Sequence, residues 1–210
     1  MNIHTADISP GGEYFAGITA EGSVLVWNPE DIHEYRQIQS ERKNITTVRF
    51  KEDGRILAMG NTEGFVELWD VSGGERISGI RAHEGRINDI RFNGRLNQMA
   101  TAGNDSCIRI FDISDVAGLS VLPVVFADNG GTVSAIAFSN DGQQIVSGVH
   151  GNNMNLASRP VSTGLMAQDI CSLVTRNLTE DEWSTWVGRD IPAEKACRDV
   201  DFRIRIREVR

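Results

Sequence analysis

Three large aromatic residues recur along the chain at a constant spacing. Trp27, Trp69 and Phe111 lie 42 residues apart, and each closes a segment of similar sequence. The segments are DISPGGEYFAGITAEGSVLVWN, RFKEDGRILAMGNTEGFVELWD and RFNGRLNQMATAGNDSCIRIFD, followed by a more divergent AFSNDGQQIVSGVHGNNMNLAS. Because self-similarity at one period marks a repeated structural unit, this repeat limits the fold before any single residue is considered.

The period and the content of the segments predict propeller blades. Within each segment, short β-branched and aromatic runs alternate with turn residues, as half-buried strands do. A period of about 40 to 45 residues that ends in a Trp-Asp-like pair is typical of blades built from four strands. We therefore predict an all-β fold, a β-propeller segment of about four four-stranded antiparallel blades. Their approximate bounds are 1–40, 41–81, 82–126 and 127–168.

The sequence after the repeats is typical of helices. From about Leu165, apolar residues recur at helical intervals, first around Ile170 and again around Trp183. Thr179-Glu180-Asp181-Glu182 forms a capping box, which predicts the start of a helix. We predict a short α-helical cap at 169–200. At 201–210, apolar residues alternate with arginines, which favours an edge or clasp strand.

The repeats resemble those of the WD-repeat β-propeller family over roughly residues 3–168. This resemblance implies a structural hydrogen-bond network in each blade, through His, Ser or Thr, Asp and the Trp indole. The third repeat fits best, with His83, Thr101 and Asp105, although Phe111 offers no N–H at the Trp position. A His–Asp pair can also act as a general base, but the repeat itself requires this spacing, which favours the structural role.

The other repeats retain fewer members of that network. The second keeps Trp69 but has Met59 and Glu63 at the hydroxyl and acid positions. The first keeps Trp27, and the fourth keeps only Ser147. The resemblance therefore predicts weaker networks outside the third blade.

The tail adds a second resemblance. Arg176-Asn177-Leu178-Thr179, Glu182-Trp183 and a late Cys197 resemble the C-terminal cap of many bacterial WD-repeat proteins. In those relatives the propeller often follows an NTPase, protease-like or other signalling domain and serves as its sensor or interaction arm. The resemblance implies that this chain is the C-terminal portion of such a protein.

Composition limits the partners and the location. The 210 residues carry a net charge of −8, which argues against a nucleic-acid surface. No apolar run reaches the roughly 20 residues that a bilayer requires, and no signal peptide is evident, so we expect a cytoplasmic protein without a membrane partner.

The cysteines and histidines argue against metal and cofactor sites. The three cysteines contain no Cys-x-x-Cys pair, and the four histidines show no spacing suited to a metal. We expect no cofactor, and in a reducing cytoplasm we expect Cys171 and Cys197 to be thiols rather than a disulfide.

The main functional prediction is a non-catalytic scaffold for protein–protein interaction. No Walker loop, nucleophile elbow or His-Glu-x-x-His segment is present, so no enzyme activity is predicted. The partner surface should combine the loops that enter each blade with the turns between second and third strands. Loop position and side-chain type select Arg42, Thr62, Arg86, Asn104 and His150.

Three alternatives remain open at this stage. A completed ring could bind a small molecule or catalyse a reaction in its central channel, but the first strands offer no repeated acid or His. The chain could be a gene fragment without independent function. Because a propeller must close, four blades could be part of a longer chain, half of a homodimeric ring, or a compact four-bladed ring.

Overall fold

The computed structural model describes residues 2–31, 33–119, 122–127, 129–151 and 155–188, together with Pro192 and Cys197. The chain divides into two compact units, Met1–Arg159 and Pro160–Arg210. The first unit contains the β-sheets, and the second contains two helices.

The first unit consists of antiparallel sheets whose strands follow one another in chain order. β1 to β4, β5 to β8 and β9 to β12 form four-stranded sheets, and β13 to β15 form a three-stranded sheet. The strands are β1 (Ile3–Ile8), β2 (Phe15–Thr19), β3 (Val24–Trp27), β4 (Tyr35–Ile38), β5 (Ile45–Phe50), β6 (Ile56–Asn61), β7 (Phe65–Asp70), β8 (Arg76–Arg81), β9 (Ile87–Asn93), β10 (Gln98–Gly103), β11 (Ile108–Asp112), β12 (Val124–Phe126), β13 (Thr132–Phe138), β14 (Gln144–His150) and β15 (Asn155–Pro160). These sheets confirm the predicted all-β propeller segment with a helical cap, although the fourth blade has three strands among the described residues.

Each blade has two faces that the strand register defines. Trp27 pairs with Phe15, which pairs with Ile8, and the equivalent ladder in blade two joins Trp69, Leu57 and Phe50. We call the side that carries these residues the Trp face of a blade. We call the opposite side, which carries Ala16, Ala58, Ala100 and Val146, its Ala face.

The core lies between the Ala face of one blade and the Trp face of the next. Ala16 and Val26 of blade one pack with Phe50, Leu57 and Trp69 of blade two in a single buried cluster. A second cluster joins the Ala face of blade two to the Trp face of blade three; it contains Ala58, Val66, Leu68, Ile90, Met99 and Phe111. Apolar burial between neighbouring blades is therefore the main source of stability in this unit.

Hydrogen bonds from the first strand of one blade to the first strand of the next add to this packing. Asp7 accepts from the Phe50 N–H at 2.8 Å, and the Thr46 hydroxyl donates to the Ile87 carbonyl at 2.5 Å. The Asn88 amide donates to the Val133 carbonyl at 2.9 Å. All three junctions between neighbouring blades thus contain such a bond.

A buried carboxylate strengthens the links from blade two to blade four. Asp89 lies 3.4 Å from the Arg49 guanidinium and 3.2 Å from that of Arg91. It also accepts from the Ile90 and Ile136 N–H groups at 3.0 and 3.1 Å. Because Asp89 is almost fully buried, these four donors compensate for the loss of water around its charge.

One turn shows how closely successive blades approach. Gly64, in the turn between β6 and β7, has a φ of 87°, which favours glycine. Its carbonyl accepts from the Ala82 and His83 N–H groups at 2.8 and 3.0 Å. A Cβ at Gly64 would collide with the His83 carbonyl oxygen. The turn of blade two is therefore fixed to the loop that leads into blade three.

The second unit contains α1 (Thr163–Leu173) and α2 (Glu180–Trp186). The predicted capping box is confirmed, since Thr179 and Glu182 exchange hydrogen bonds at 3.2 and 2.9 Å. Glu182 also forms a two-bond ion pair with Arg176 at 2.6 Å, which lowers the pKa of Glu182 to about 2. α1 begins at Thr163, inside the segment assigned to blade four, because the Ser162 hydroxyl caps it by accepting from the Leu165 N–H.

The expectation of reduced thiols is wrong for one pair, because Cys171 and Cys197 form a disulfide. The reason is local. The Asn177 amide donates to the Cys197 carbonyl and accepts from the Cys197 N–H, both at 2.9 Å. Asn177 thereby holds Cys197 near the end of α1, with Cα atoms of the two cysteines 5.4 Å apart, within the range that a disulfide spans.

Two further expectations concern the tail and membranes. The clasp strand predicted at 201–210 lies outside the described residues. No helix of the described part is long and apolar enough to cross a membrane.

Replacing Cys171 with Ser should loosen the helical unit. Neither helix contains a fully buried residue, so the disulfide carries much of the local constraint. Closing a loop of this length, 26 residues in sequence separation, contributes about 3 kcal/mol. Hydrogen exchange of residues 163–188 should therefore be faster in Cys171→Ser than in the oxidised chain. Cys107→Ser, which leaves the disulfide intact, is the control, and equal exchange in all three proteins would contradict the prediction.

Candidate functional site

The third blade contains a buried polar chain centred on His83. The His83 Nδ1 atom lies 2.7 Å from an Asp105 carboxylate oxygen, and its Nε2 atom lies 2.8 Å from the Thr101 hydroxyl. The donor and acceptor roles of the two nitrogens depend on the tautomer, because Nδ1 faces both the Asp105 carboxylate and, at 2.7 Å, the Arg109 guanidinium. The structure thus brings together the three residues that the repeat selected in this blade, with Phe111 buried beside them on the same face.

Arg109 joins this chain, and sequence reasoning had missed it. Its guanidinium lies 2.7 Å from the second Asp105 oxygen. Burial lowers the pKa of His83 below its ordinary value, and the bond to Asp105 offsets only part of that shift. Burial alone would raise the pKa of Asp105, but bonds from His83 and Arg109 bring it below its ordinary value. The result is a neutral imidazole held between an ionised acid and a hydroxyl, with its polar atoms already paired.

Blade two has a different polar chain, centred on Glu67. This buried carboxylate accepts from the Trp69 indole at 3.3 Å and from the Ser40 hydroxyl at 2.5 Å, and it pairs with Arg76 at 3.1 Å. Glu63 occupies the acid position of the repeat but lies exposed in the turn. The acid that holds Trp69 is therefore Glu67, a residue that the position-by-position comparison of repeats passed over.

Blades one and four have less complete chains. The Trp27 ring packs against Phe15 with ring centres 4.8 Å apart. In blade four, Ser147 is buried at the position of Thr101, and Asn129 stands seven residues before Ile136, as His83 stands before Ile90. Ser147 Oγ and Asn129 Oδ1 are both buried without a hydrogen-bond partner among the described residues.

Four of the five predicted partner residues lie along one edge of the sheets, and three of these lie close to one another. We call this edge the top face; it contains the loops 39–44 and 82–86 and the turns 20–23, 62–64 and 104–107. The Thr62 N–H donates to the Asn44 carbonyl at 3.1 Å, and the Asn104 N–H donates to the Arg86 carbonyl at 2.9 Å. Backbone bonds thus hold the predicted residues Thr62, Asn104 and Arg86 beside the first strands of blades two and three.

A shallow depression of about 390 Å³ lies on this face. Thr62 and Arg86 line it together with His4, Glu21 and Asn44. These residues supply a guanidinium cation, a carboxylate, and hydroxyl and amide groups. Such an open, polar surface suits contact with another protein's side chains more than enclosure of a small apolar ligand.

The other three predicted residues, Asn104 among them, do not line the depression. The Arg42 guanidinium stacks on Phe65, 3.7 Å from the ring centre, and lies 4.0 Å from the Glu63 carboxylate. His150 is exposed at the end of β14, opposite Thr132 in blade four. Neither residue lines the depression that Thr62 and Arg86 share.

The first strands, which would face a central channel, use their polar groups in bonds between blades. Asp7, Thr46 and Asn88 bond the next blade's backbone, and Asp89 is enclosed by two arginines. Among the described residues, no three His, Cys, Asp or Glu side chains form a group that could hold a metal ion.

Replacing Glu67 should cost far more than replacing Glu63. Glu67→Ala leaves the Trp69 indole and the Ser40 hydroxyl without an acceptor in a buried site, which costs about 2 to 3 kcal/mol. Glu63→Ala removes an exposed charge and should change stability by less than about 0.5 kcal/mol. Urea unfolding of both variants measures the difference. Equal losses, or a larger loss for Glu63→Ala, would refute the assignment of the indole acceptor.

The His83 chain should make stability depend on pH. Since the pKa of His83 is lower in the folded chain, the unfolded chain binds more protons below about pH 6.5, and the contribution of His83 is lost as pH falls below that value. His83→Asn, which copies Asn129 of blade four, should be less stable than wild type by about 1 to 2 kcal/mol at pH 7.5. The gap should narrow between pH 7 and pH 5 in denaturant titrations. A gap that stays constant or widens over this interval would show that His83 does not titrate as described.

Two family profiles match the chain. One, described as the anaphase-promoting complex subunit 4 WD40 domain, matches residues 9–95. The other, described as WD domain, G-beta repeat, matches residues 122–156. Both describe WD repeats, and their matches fall on the blades of the first unit. No curated protein matches the chain.

Solved structures share the architecture. Among 1360 matching chains, one from a structure described as "Crystal Structure of Mitotic Checkpoint Complex" is 20% identical with a TM-score of 0.61. The match covers 74% of this chain and 47% of that chain, so the present sequence spans about half the length of that relative. At this identity the likeness shows the fold alone. The sheets, the repeat and both profiles together show that the chain belongs to the WD-repeat β-propeller family.

Proposed function

We propose that the chain is a non-catalytic scaffold that binds another protein through its top face. The observation that carries this proposal is the depression in which Thr62 and Arg86 lie together, on loops that backbone bonds fix in place. Fixed loops lose little conformational entropy when a partner binds, which favours affinity. WD40 domains are typically interaction scaffolds without catalysis, and the solved relative comes from a complex; both support the proposal.

The polar side chains elsewhere support a role without catalysis. A general base must reach a substrate proton, but both nitrogens of His83 face protein partners. Asp89 is likewise buried under the two arginines and two backbone donors. These groups act in stability, which leaves recognition to the exposed loops.

We further propose that the scaffold is the sensor or interaction arm of a larger bacterial signalling protein, as the Arg176 to Thr179 and Glu182-Trp183 motifs suggest. The proposed location is the cytoplasm. The Cys171–Cys197 disulfide weighs against that location, because most disulfides persist in oxidising compartments. The partners of the proposed scaffold include a second copy of the chain, which would close the propeller.

The partner surface can be tested with paired arginine substitutions in the full chain. Arg42→Ala with Arg86→Ala removes two cations from the top face. Arg55→Ala with Arg95→Ala removes two exposed arginines from loops at the opposite edge of the sheets and is the matched control. Quantitative capture from a source lysate should identify a protein that the control retains and the top-face variant loses by about 10-fold or more, about 1.4 kcal/mol.

The comparison between variants carries the result, because capture by wild type alone would be uninformative. If every captured protein is retained equally by both double variants, or is lost only from the control, the top face is not the binding surface. Thermal unfolding of the three proteins checks that the exposed substitutions leave the fold unchanged.

A further inference from the structure

Blade one exposes a face that the other blades bury. In blade two the Trp-face residues Phe50, Leu57 and Trp69 are at most 6% exposed, because the Ala face of blade one covers them. In blade one the counterpart of Phe50 is Ile8, which is 51% exposed. Tyr35, on the fourth strand of the same face, is 55% exposed. The Trp face of blade one thus has the apolar character of its counterparts without their cover.

Blade four exposes the opposite face. At one position of the Ala face, Ala16, Ala58 and Ala100 are fully buried, but Val146 is 39% exposed. At the aligned position of the third strand in the repeat, the residues of blades one to three are buried, while Leu156 is 83% exposed; the buried residues are Val26, Leu68 and Ile110. An apolar Ala face therefore lies open at one end of the row of blades and an apolar Trp face at the other.

These two open faces are the two halves of a contact that the chain already makes within itself. The Ala face of blade one meets the Trp face of blade two, and blades two and three repeat the arrangement. We propose that the occupant of both open faces is a second copy of this chain. The Ala face of blade four in each copy covers the Trp face of blade one in the other, and two such contacts close a ring of eight blades.

The length of the chain and the absence of charge on the exposed residues of the two faces favour a second copy as the occupant. The chain spans 47% of the solved relative, so two copies supply nearly the same amount of fold as that single chain. The exposed residues Ile8 and Tyr35 on one face, and Val146 and Leu156 on the other, carry no charge, so their contact buries no unpaired charge. The contact is heterologous, because unlike faces meet, yet it closes after two copies when the eight blades together complete one full turn about the ring axis, roughly 45° per blade.

This inference deepens the proposed function, on which it rests for the idea that the chain acts by binding proteins. It adds the two surfaces through which the second copy of the chain is bound. Its test measures mass rather than capture of another protein, so the two proposals can fail separately.

The test uses light scattering after size exclusion over a range of concentrations of the full chain. Wild type should have the mass of two chains. Leu156→Glu places a charge in the proposed contact and should raise the dissociation constant of the dimer at least about 100-fold. Leu173→Glu is the matched control, because Leu173 on α1 is also 83% exposed but belongs to neither face, and it should remain dimeric.

Mixing two variants tests which faces meet. Ile8→Lys alters the Trp face and Leu156→Glu alters the Ala face, so each protein alone should be largely monomeric. In a mixed ring, one contact combines the Lys and Glu substitutions and the other is wild type on both sides. An equimolar mixture should therefore regain the mass of two chains.

Several outcomes would overturn the inference. These are a wild type that stays monomeric at all concentrations, a wild type that forms open-ended polymers, a dimer that Leu156→Glu and Leu173→Glu affect equally, and a mixture that remains monomeric. Circular dichroism of each variant shows whether it is folded. Should Ile8→Lys fail to fold, Tyr35→Lys on the same face replaces it in the mixture.

Discussion

The burial of one blade's Ala face on the next blade's Trp face is the contact on which the rest of the structure depends. A single four-stranded sheet has two apolar faces and cannot bury either alone, so each blade gains its stability from its neighbours. Leu57, Val48 and Ala58 are fully buried for this reason. The hydrogen bonds between successive first strands then fix the spacing between neighbouring sheets. That spacing determines where the loops lie.

The blades use different side chains to pair the polar groups that are buried on their Trp faces. A polar group on a Trp face is enclosed when the preceding blade packs on it, so it requires a partner that the same contact also encloses. Blade two pairs the Trp69 indole with Glu67, whereas blade three pairs His83 with Asp105 and Arg109. In blade four, Ser147 and Asn129 each have a buried atom without a hydrogen-bond partner in the described part of the chain, so the polar chain seen there contributes less. Because these groups stabilise the sheets, the loops can change without loss of the fold.

Much of the fold could be predicted from the sequence, because a repeat constrains every blade at once. The 42-residue spacing placed the strands near Trp27, Trp69 and Phe111, and the capping box placed the start of α2. Glu67 was missed because the comparison of repeats looks for an acid at the position of Asp105. A usable signal existed, since residues two apart on a strand share a face, which puts Glu67 beside Trp69.

The disulfide and the depression could not be predicted in the same way. Pairing Cys171 with Cys197 depends on Asn177. Its side-chain amide hydrogen-bonds both the N–H and the carbonyl of Cys197, twenty residues further along the chain. The depression depends on how the loops of three blades approach one another, and no local pattern specifies that distance. Sequence reasoning works where periodicity governs and fails where a single contact between distant residues decides the geometry.

Closure of the ring by two copies and binding of another protein at the depression would be thermodynamically linked. His4 and Thr5, which line the depression, belong to β1, the first strand of the blade whose Trp face lies open. A partner that also contacts loops of the neighbouring copy would bind the closed ring better than the single chain, and it would shift the equilibrium towards the ring by that difference in affinity. A partner confined to the depression would bind both forms equally and shift nothing. A shift of the monomer–dimer equilibrium when a partner is added would therefore show that the partner also contacts the neighbouring copy.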